Sequence, residues 1–185
     1  MCKVILVTGG ARAGKSAYAE KAAAENGSVL YIATATACDD EMEERIKYHR
    51  ENRPEGWITW ERHHELGDIE TEFDAGSYET IMLDCVGNLL MGILYEQVPD
   101  ADKFATEDFV SVVRTTITEI DTLCRFAVNN NKPLILVTNE IGMGIVPETR
   151  YARYYRDALG HLNKHIARLA DEVVFMVSGL PLKLK

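Results

Sequence analysis

The segment Gly9-Gly10-Ala11-Arg12-Ala13-Gly14-Lys15-Ser16 follows directly on the apolar run Val4-Ile5-Leu6-Val7 and opens an Ala-rich stretch over residues 16–25. It fills every fixed position of G-x-x-x-x-G-K-[ST], in the strand-to-helix context that the motif requires. Few architectures accommodate such a loop. Glycines let backbone N–H groups close around phosphate oxygens, and a helix beginning near Lys15 aims the positive end of its dipole at them. Lys15 then reaches the β- and γ-phosphates, and Ser16 offers a ligand to Mg²⁺. A glycine-rich turn that merely starts a helix would give the lysine and serine no packing reason to stand there.

The rest of the chain follows the rhythm that this loop implies. Short apolar runs at residues 4–7, 29–32, 80–83, 134–137 and 173–177 have the length and β-branching of buried strands. Helical stretches are expected between them over 16–25, 39–51, 104–128 and 148–170. Strand and helix alternate, which predicts a single α/β domain over residues 1–185: a mainly parallel sheet with helices on both faces, of the P-loop NTPase-like (RecA-like) class. Function in such a sheet gathers just beyond the carboxyl ends of the strands. No repeat or domain boundary interrupts the pattern.

Composition narrows the partners. The chain has 185 residues, 46% hydrophobic and 26% charged, which suits one folded core rather than a disordered or collagen-like chain. Twenty Lys and Arg against 29 Asp and Glu give a net charge of -9, which opposes sequence-independent binding to nucleic acid or an anionic membrane surface. Any anion must therefore be held locally. No apolar run approaches a membrane span and no signal-peptide pattern opens the sequence, so the cytoplasm is the expected location. Cys2, Cys38, Cys85 and Cys124 stand singly and read as buried free thiols.

A P-loop also needs a carboxylate at the end of another strand to orient Mg²⁺ or its water, and Asp84 closes the run Thr80-Ile81-Met82-Leu83 in that position. The competing role for Asp84 is a cap on a following helix. Glu140 is a second carboxylate after a strand; general base, metal ligand and loop hydrogen bonder are all open to it. Residues 39–54 carry acids first and bases last, favourable for a helix dipole, and place Arg45 and His49 four apart on one face. An imidazole beside guanidinium groups is poised to meet phosphate; composition alone favours a surface or half-buried histidine.

The landmarks Tyr31-Ile32-Ala33-Thr34, Asp40-Glu41-Met42, Arg45-Ile46, His49-Arg50, Arg53-Pro54 and Trp57 join the P-loop in a pattern that continues through Thr138-Asn139-Glu140-Ile141-Gly142-Met143-Gly144-Ile145-Val146-Pro147-Glu148. It ends with Ala152-Arg153-Tyr154-Tyr155-Arg156-Asp157, Gly160, Asn163, Ala170-Asp171-Glu172-Val173 and Ser178-Gly179. Nearly end to end, the chain resembles the bifunctional adenosylcobinamide kinase/adenosylcobinamide-phosphate guanylyltransferase family of corrinoid salvage and cobalamin biosynthesis. The resemblance implies phosphorylation of adenosylcobinamide with ATP or GTP, then transfer of GMP from GTP to adenosylcobinamide phosphate through a guanylyl-histidine, giving adenosylcobinamide-GDP. His49 is the matching histidine, with Lys15 and Asp84 as the other catalytic groups and Ser16 and Asp84 as the Mg²⁺ ligands. Implied nucleotide contacts are Gly9, Gly10, Ala11, Arg12, Ala13, Gly14, Lys15 and Ser16, then Thr34, Ala35, Thr36, Arg50, Glu51, Asn52, Arg53, Glu61 and Asp84. The resemblance also suggests a homotrimer. The chain departs from the family's usual Leu-Thr after Asp84-Cys85, reading Val86-Gly87-Asn88, and from a later Ser-Asn, reading Met91-Gly92. A hydroxyl beside Asp84 is thus missing locally; if it helps place the metal or corrinoid, either Asn88 substitutes for it or the kinase step is weaker.

Other candidates stay open. His63-His64 lacks a spaced third ligand in sequence and reads as surface. Arg150, Arg153 and Arg156 read either as a salt-bridged surface, with Asp157 in reach of Arg153, or as phosphate or corrinoid contacts across a subunit boundary. Two rival functions lie outside the family: another P-loop small-molecule kinase, in which His49 is incidental, and a non-catalytic GTP-binding switch.

Overall fold

A computed structural model describes residues 3–36, 43–44, 46–47, 50, 53–98 and 105–185. Its strands are β1 (Val4–Gly9), β2 (Val29–Ala33), β3 (Ile58–Glu61), β4 (Thr80–Asp84), β5 (Leu134–Val137), β6 (Glu172–Val177) and β7 (Leu180–Lys183). The α-helices are α1 (Lys15–Ala24), α2 (Ile69–Glu72), α3 (Val86–Gln97), α4 (Thr106–Asn129) and α5 (Arg150–Leu169). The seven strands form one sheet in the order β3-β2-β4-β5-β1-β6-β7. Every neighbouring pair is parallel except β6 with β7.

Alternation of side chains across the pleat gives the sheet two cores. On one face Leu6, Leu30, Ile32, Ile81, Leu83, Leu134 and Leu136 pack under α3, α4 and α5, through residues such as Leu89, Leu90, Ile120, Leu123, Leu159 and Leu162. On the other, Val7, Tyr31, Met82, Ile135, Val137 and Val174 meet α1 through Ala19 and Ala23. Both faces are therefore covered, which is why β2, β4 and β5 are continuous apolar runs rather than alternating ones. The longer helices start at identifiable caps: Asp108 accepts a hydrogen bond from the N–H of Ala105 before α4 (2.9 Å), and Thr149 Oγ1 accepts from Ala152 N–H at the start of α5 (3.2 Å).

Five strands fall where the sequence placed them. The structure adds four elements, of which α2 is a single turn. Helix α3 is buried nearly all round, through Val86, Gly87, Leu89, Leu90, Gly92, Ile93 and Leu94, so it has no polar face to generate a 3.6-residue signal. Strand β3 is short and lies at the sheet edge, with only Trp60 fully buried. Strand β7 returns from β6 through Ser178 and Gly179, both at positive φ (51° and 82°), as a two-residue hairpin demands. The expected helix over 39–51 falls largely outside the described residues.

Candidate active site

Parallel register brings the strand ends into one row. Glu61 pairs with Ala33, Ala33 with Asp84, Asp84 with Val137, and Val137 with Val7, across β3, β2, β4, β5 and β1. The segments that leave this edge are the P-loop, Thr34-Ala35-Thr36, Cys85 onwards, Thr138-Asn139-Glu140 and the chain after Glu61. Most of the expected nucleotide-binding residues thus lie along a single edge. Because β5 lies between β1 and β4, Asp84 and the P-loop are on non-adjacent strands, the RecA-like arrangement.

The P-loop is shaped by its neighbours as much as by its own glycines. Gly9 has φ 151° and lies so close to β6 that an added Cβ would sit 2.5 Å from the Met176 carbonyl oxygen. Gly14, at φ 91°, forms the N-cap of α1 and accepts a hydrogen bond from Tyr18 N–H (3.1 Å). Arg12 takes φ 55°, and Gly179 N–H donates to the Ala13 carbonyl (3.1 Å), so the β6–β7 hairpin braces the loop from outside. The Lys15 ammonium donates to the Gly10 carbonyl at 2.7 Å. Lys15 is 8% exposed. That burial lowers its pKa, against the opposing pull of Cys85 and Asp84, which share its surroundings.

Asp84 is not a helix cap: the N-cap of α3 is Cys85, without a side-chain cap bond. Instead Asp84 accepts a hydrogen bond from the Tyr31 hydroxyl (3.1 Å), while its own carbonyl accepts from Thr34 N–H (3.2 Å). Thr34 Oγ1 donates to the Cys85 carbonyl (2.7 Å), fastening the loop after β2 to the segment after β4. The Arg53 guanidinium stacks 4.2 Å from the Tyr31 ring centroid, and Trp57 lies 6.1 Å from that ring on centroids. Arg53 also donates to Thr59 Oγ1 (3.0 Å). Glu20 joins the same electrostatic group: its carboxyl is pushed up by burial and by Asp84, against Arg53. Arg50 pairs with Glu61 in an exposed ion pair. Tyr31 and Glu20 were given no role from sequence, although Tyr31 stands in the landmark Tyr31-Ile32-Ala33-Thr34. His49, Glu51 and Asn52 lie outside the described residues.

Tyr155, on α5, donates to the Gly87 carbonyl (3.1 Å), and a Cβ at Gly87 would stand 3.0 Å from that hydroxyl and 3.6 Å from Asn139 Nδ2. Tyr155 thus packs its hydroxyl directly against Gly87. The Cys85 thiol, fully enclosed, is pushed up to about 12 by burial first and Asp84 second. Asn163 ties the loop after β5 to α5, accepting from Thr138 Oγ1 (2.7 Å) and donating to the Asn139 carbonyl (2.9 Å). Glu140 accepts from Gly142 N–H at 2.6 Å, so of its three open roles it performs loop hydrogen bonding here. Arg153 donates to the Pro147 and Glu148 carbonyls (2.9 and 2.6 Å), not to Asp157, whose carboxylate lies 3.4 Å from Arg156.

A complete P-loop at the carboxyl edge of a RecA-like sheet, faced by a strand-end aspartate, defines a nucleoside-triphosphate-using protein. More narrowly, the chain belongs to the cobinamide kinase/cobinamide phosphate guanyltransferase family, whose model matches residues 5–184. It is 41% identical over 182 residues to the bifunctional adenosylcobalamin biosynthesis protein CobU of Escherichia coli (strain K12), covering 98% of this chain and 99% of that one. The CobU protein of Salmonella typhimurium is 40% identical with the same coverage. The CobP protein of Pseudomonas aeruginosa is 37% identical over 185 residues, 97% of this chain and 96% of that one. A KaiC-like protein of Pyrococcus horikoshii OT3 is similar at 14% identity with a TM-score of 0.45, covering 94% of this chain and 70% of that one, too distant to carry functional weight.

Proposed function

We propose that one phosphate site at the carboxyl edge of the sheet serves both halves of a bifunctional reaction on a corrinoid. In the kinase half, the γ-phosphoryl group of ATP or GTP passes to the aminopropanol hydroxyl of adenosylcobinamide. The hydroxyl proton is lost and a nucleoside diphosphate leaves. In the second half, an imidazole nitrogen of His49 attacks the α-phosphorus of GTP and displaces pyrophosphate. The guanylyl group then passes to the phosphate of adenosylcobinamide phosphate, giving adenosylcobinamide-GDP and restoring the histidine. Splitting the transfer in two lets the same phosphate cradle hold the triphosphate in both halves.

The observation that carries this reading is Lys15: a buried ammonium, 2.7 Å from the Gly10 carbonyl, sharing its electrostatic surroundings with Asp84. An incoming triphosphate replaces one carbonyl partner with anionic oxygens and restores the favourable surroundings that burial denies the charge. Phosphoryl transfer needs positioning and charge neutralisation more than covalent chemistry, and the P-loop backbone with Lys15 supplies both. Asp84 is held in place by Tyr31. The Ser16 hydroxyl and the Asp84 carboxylate are hard oxygen donors of the kind Mg²⁺ takes. When bound there with a nucleotide, Mg²⁺ would neutralise phosphate charge. Arg50 and Arg53 are further cations for the phosphate charge, and Arg53 is already oriented by Tyr31 and Thr59.

The test is covalent capture. Incubation with GTP and Mg²⁺ is expected to add one guanylyl mass to the protein, in an acid-labile, base-stable bond that peptide sequencing maps to His49. His49→Ala is expected to lose the adduct and His63→Ala to keep it. An adduct on another histidine overturns the role of His49, and phosphoryl transfer with no adduct under turnover conditions points to a plain P-loop kinase.

A further inference from the structure

His63 and His64 do find the third ligand that the sequence does not show. Glu96, in the last turn of α3, places Oε1 3.2 Å from His63 Nε2 and 2.8 Å from His64 Nδ1. Donor atoms from all three residues lie within 4.8 Å of one another. The two imidazoles meet edge to face, with ring centroids 4.7 Å apart. The histidines come from the loop after β3 and the carboxylate from a helix of the main core, so this convergence is tertiary rather than an accident of adjacent residues.

Two further observations point to a ligand. Nδ1 of His64 is closed off from solvent and, despite its 2.8 Å separation from Glu96 Oε1, makes no hydrogen bond. A shielded nitrogen close to a carboxylate oxygen but without a hydrogen bond to it is a geometry that a bridging cation satisfies. Secondly, the His63 ring lies directly on Gly92, one helical turn before Glu96: an added Cβ there would stand 2.9 Å from His63 Cδ2 and 3.0 Å from its Cβ. A side chain at residue 92 would push the ring away from the carboxylate. Glu65 Oε2, 3.5 Å from His64 Nε2, supplies an outer carboxylate of the kind that orients a ligating imidazole.

We propose that His63, His64 and Glu96 form a site for a divalent transition-metal ion, with Zn²⁺ as the best match. Two imidazole nitrogens and one carboxylate oxygen suit Zn²⁺, whereas Mg²⁺ and Ca²⁺ prefer oxygen alone. Metal–ligand bonds of about 2.0–2.2 Å in a tetrahedron put donor atoms roughly 3.3–3.5 Å apart. The observed 3.2 Å is close to that spacing, 2.8 Å is about half an ångström or more short of it, and all donor atoms lie within 4.8 Å, so small side-chain rotations complete the site. The three side chains are 33%, 35% and 46% exposed, which leaves a route for the ion and a water for the fourth position. The proposal is independent of the nucleotide chemistry above.

Chelator-treated full-length protein is titrated with ZnCl₂ by calorimetry under excess Mg²⁺, and with Co²⁺ followed by its visible absorption. The expected result is one saturable equivalent per chain, a tetrahedral Co²⁺ spectrum and a rise in melting temperature with Zn²⁺. His63→Ala, His64→Ala and Glu96→Gln should each weaken Zn²⁺ binding at least about tenfold, since even the loss of an outer-sphere partner costs about 10–100-fold. Gly92→Ala should weaken it too, though all three donors remain, and His161→Ala should not. Melting curves without metal verify that each variant is folded. Absence of saturable Zn²⁺ binding by the parent overturns the site, as does binding that survives all three ligand substitutions.

Discussion

Adding a single methyl group at Gly9 should cost this protein a large part of its stability without touching any group that does chemistry. In Gly9→Ala the new Cβ would lie 2.5 Å from the Met176 carbonyl oxygen and 3.2 Å from the Met176 nitrogen. Both are backbone atoms of β6, which pairs with β1 at this point, so no side chain can swing away. Holding a non-glycine residue at φ 151° costs about 1–3 kcal/mol. Separating the strands enough to admit the methyl adds about 1–3 kcal/mol of overpacking. The sum is about 2–6 kcal/mol, which for a chain of this length lowers the melting temperature by roughly 4–24 °C. Gly10→Ala is the internal control: nothing lies within 4 Å of its Cβ position, so its melting temperature should stay within about 2 °C of the parent. Ligand-free thermal unfolding followed by circular dichroism reads both. If Gly9→Ala melts within about 2 °C of the parent, or Gly10→Ala falls as far as Gly9→Ala, the strand-contact argument is refuted.

Lys15→Met should melt no lower than the parent without ligand, because it removes a buried charge that burial disfavours, yet should lose the stabilisation that GTP and Mg²⁺ confer; a retained nucleotide-dependent shift would remove Lys15 from the site. Asp84→Asn should lower Mg²⁺-dependent turnover far more than GTP affinity, and Tyr31→Phe should show the same pattern more weakly, by about tenfold or less, since it frees the carboxylate without deleting it. Steady-state rates against Mg²⁺ concentration distinguish this from a simple loss of binding. Stability should fall as pH rises above about 9: Cys85 and Tyr78 are each pushed up to about 12 by burial, from 9.0 and 10.0, so the unfolded chain releases those protons first. Lys15, with its lowered pKa, opposes this trend, but Tyr31 and Tyr155 are raised as well, so the acids prevail. A urea midpoint that stays flat to about pH 10.5 would contradict the burial assigned to them.

The P-loop and the strands at residues 4–7, 29–32, 80–83, 134–137 and 173–177 were legible because their signals are local: a glycine spacing, a β-branched run. What escaped was tertiary. Helix α3 carries no period because both its sides are buried, and Gly87 and Gly92, which look like helix breakers, are the contact points for Tyr155 and His63. Tyr31 contacts Asp84 only because β2 and β4 are neighbours, a pairing that the chain order conceals. The side-chain partner of Arg153 was misjudged because i,i+4 spacing promised Asp157, while the carbonyls preceding α5 offered nearer acceptors. The membrane reading stands in one respect: among the described residues no helix is long and apolar enough to cross a bilayer. Cys85 and Cys124 are buried thiols outside any disulfide.

The interposed strand β5 has a consequence for inheritance of function. Two strand spacings separate β1 from β4, roughly 10 Å, and that interval is fixed by backbone hydrogen bonds rather than by any loop. Loops at the edge can therefore lengthen, shorten or exchange residues while the gauge between triphosphate cradle and Asp84 stays constant, much as rails hold their spacing whatever train runs on them. The corollary is that a lesion buried in β5, such as Leu136→Ala, would register as impaired catalysis although every residue that meets the nucleotide is intact.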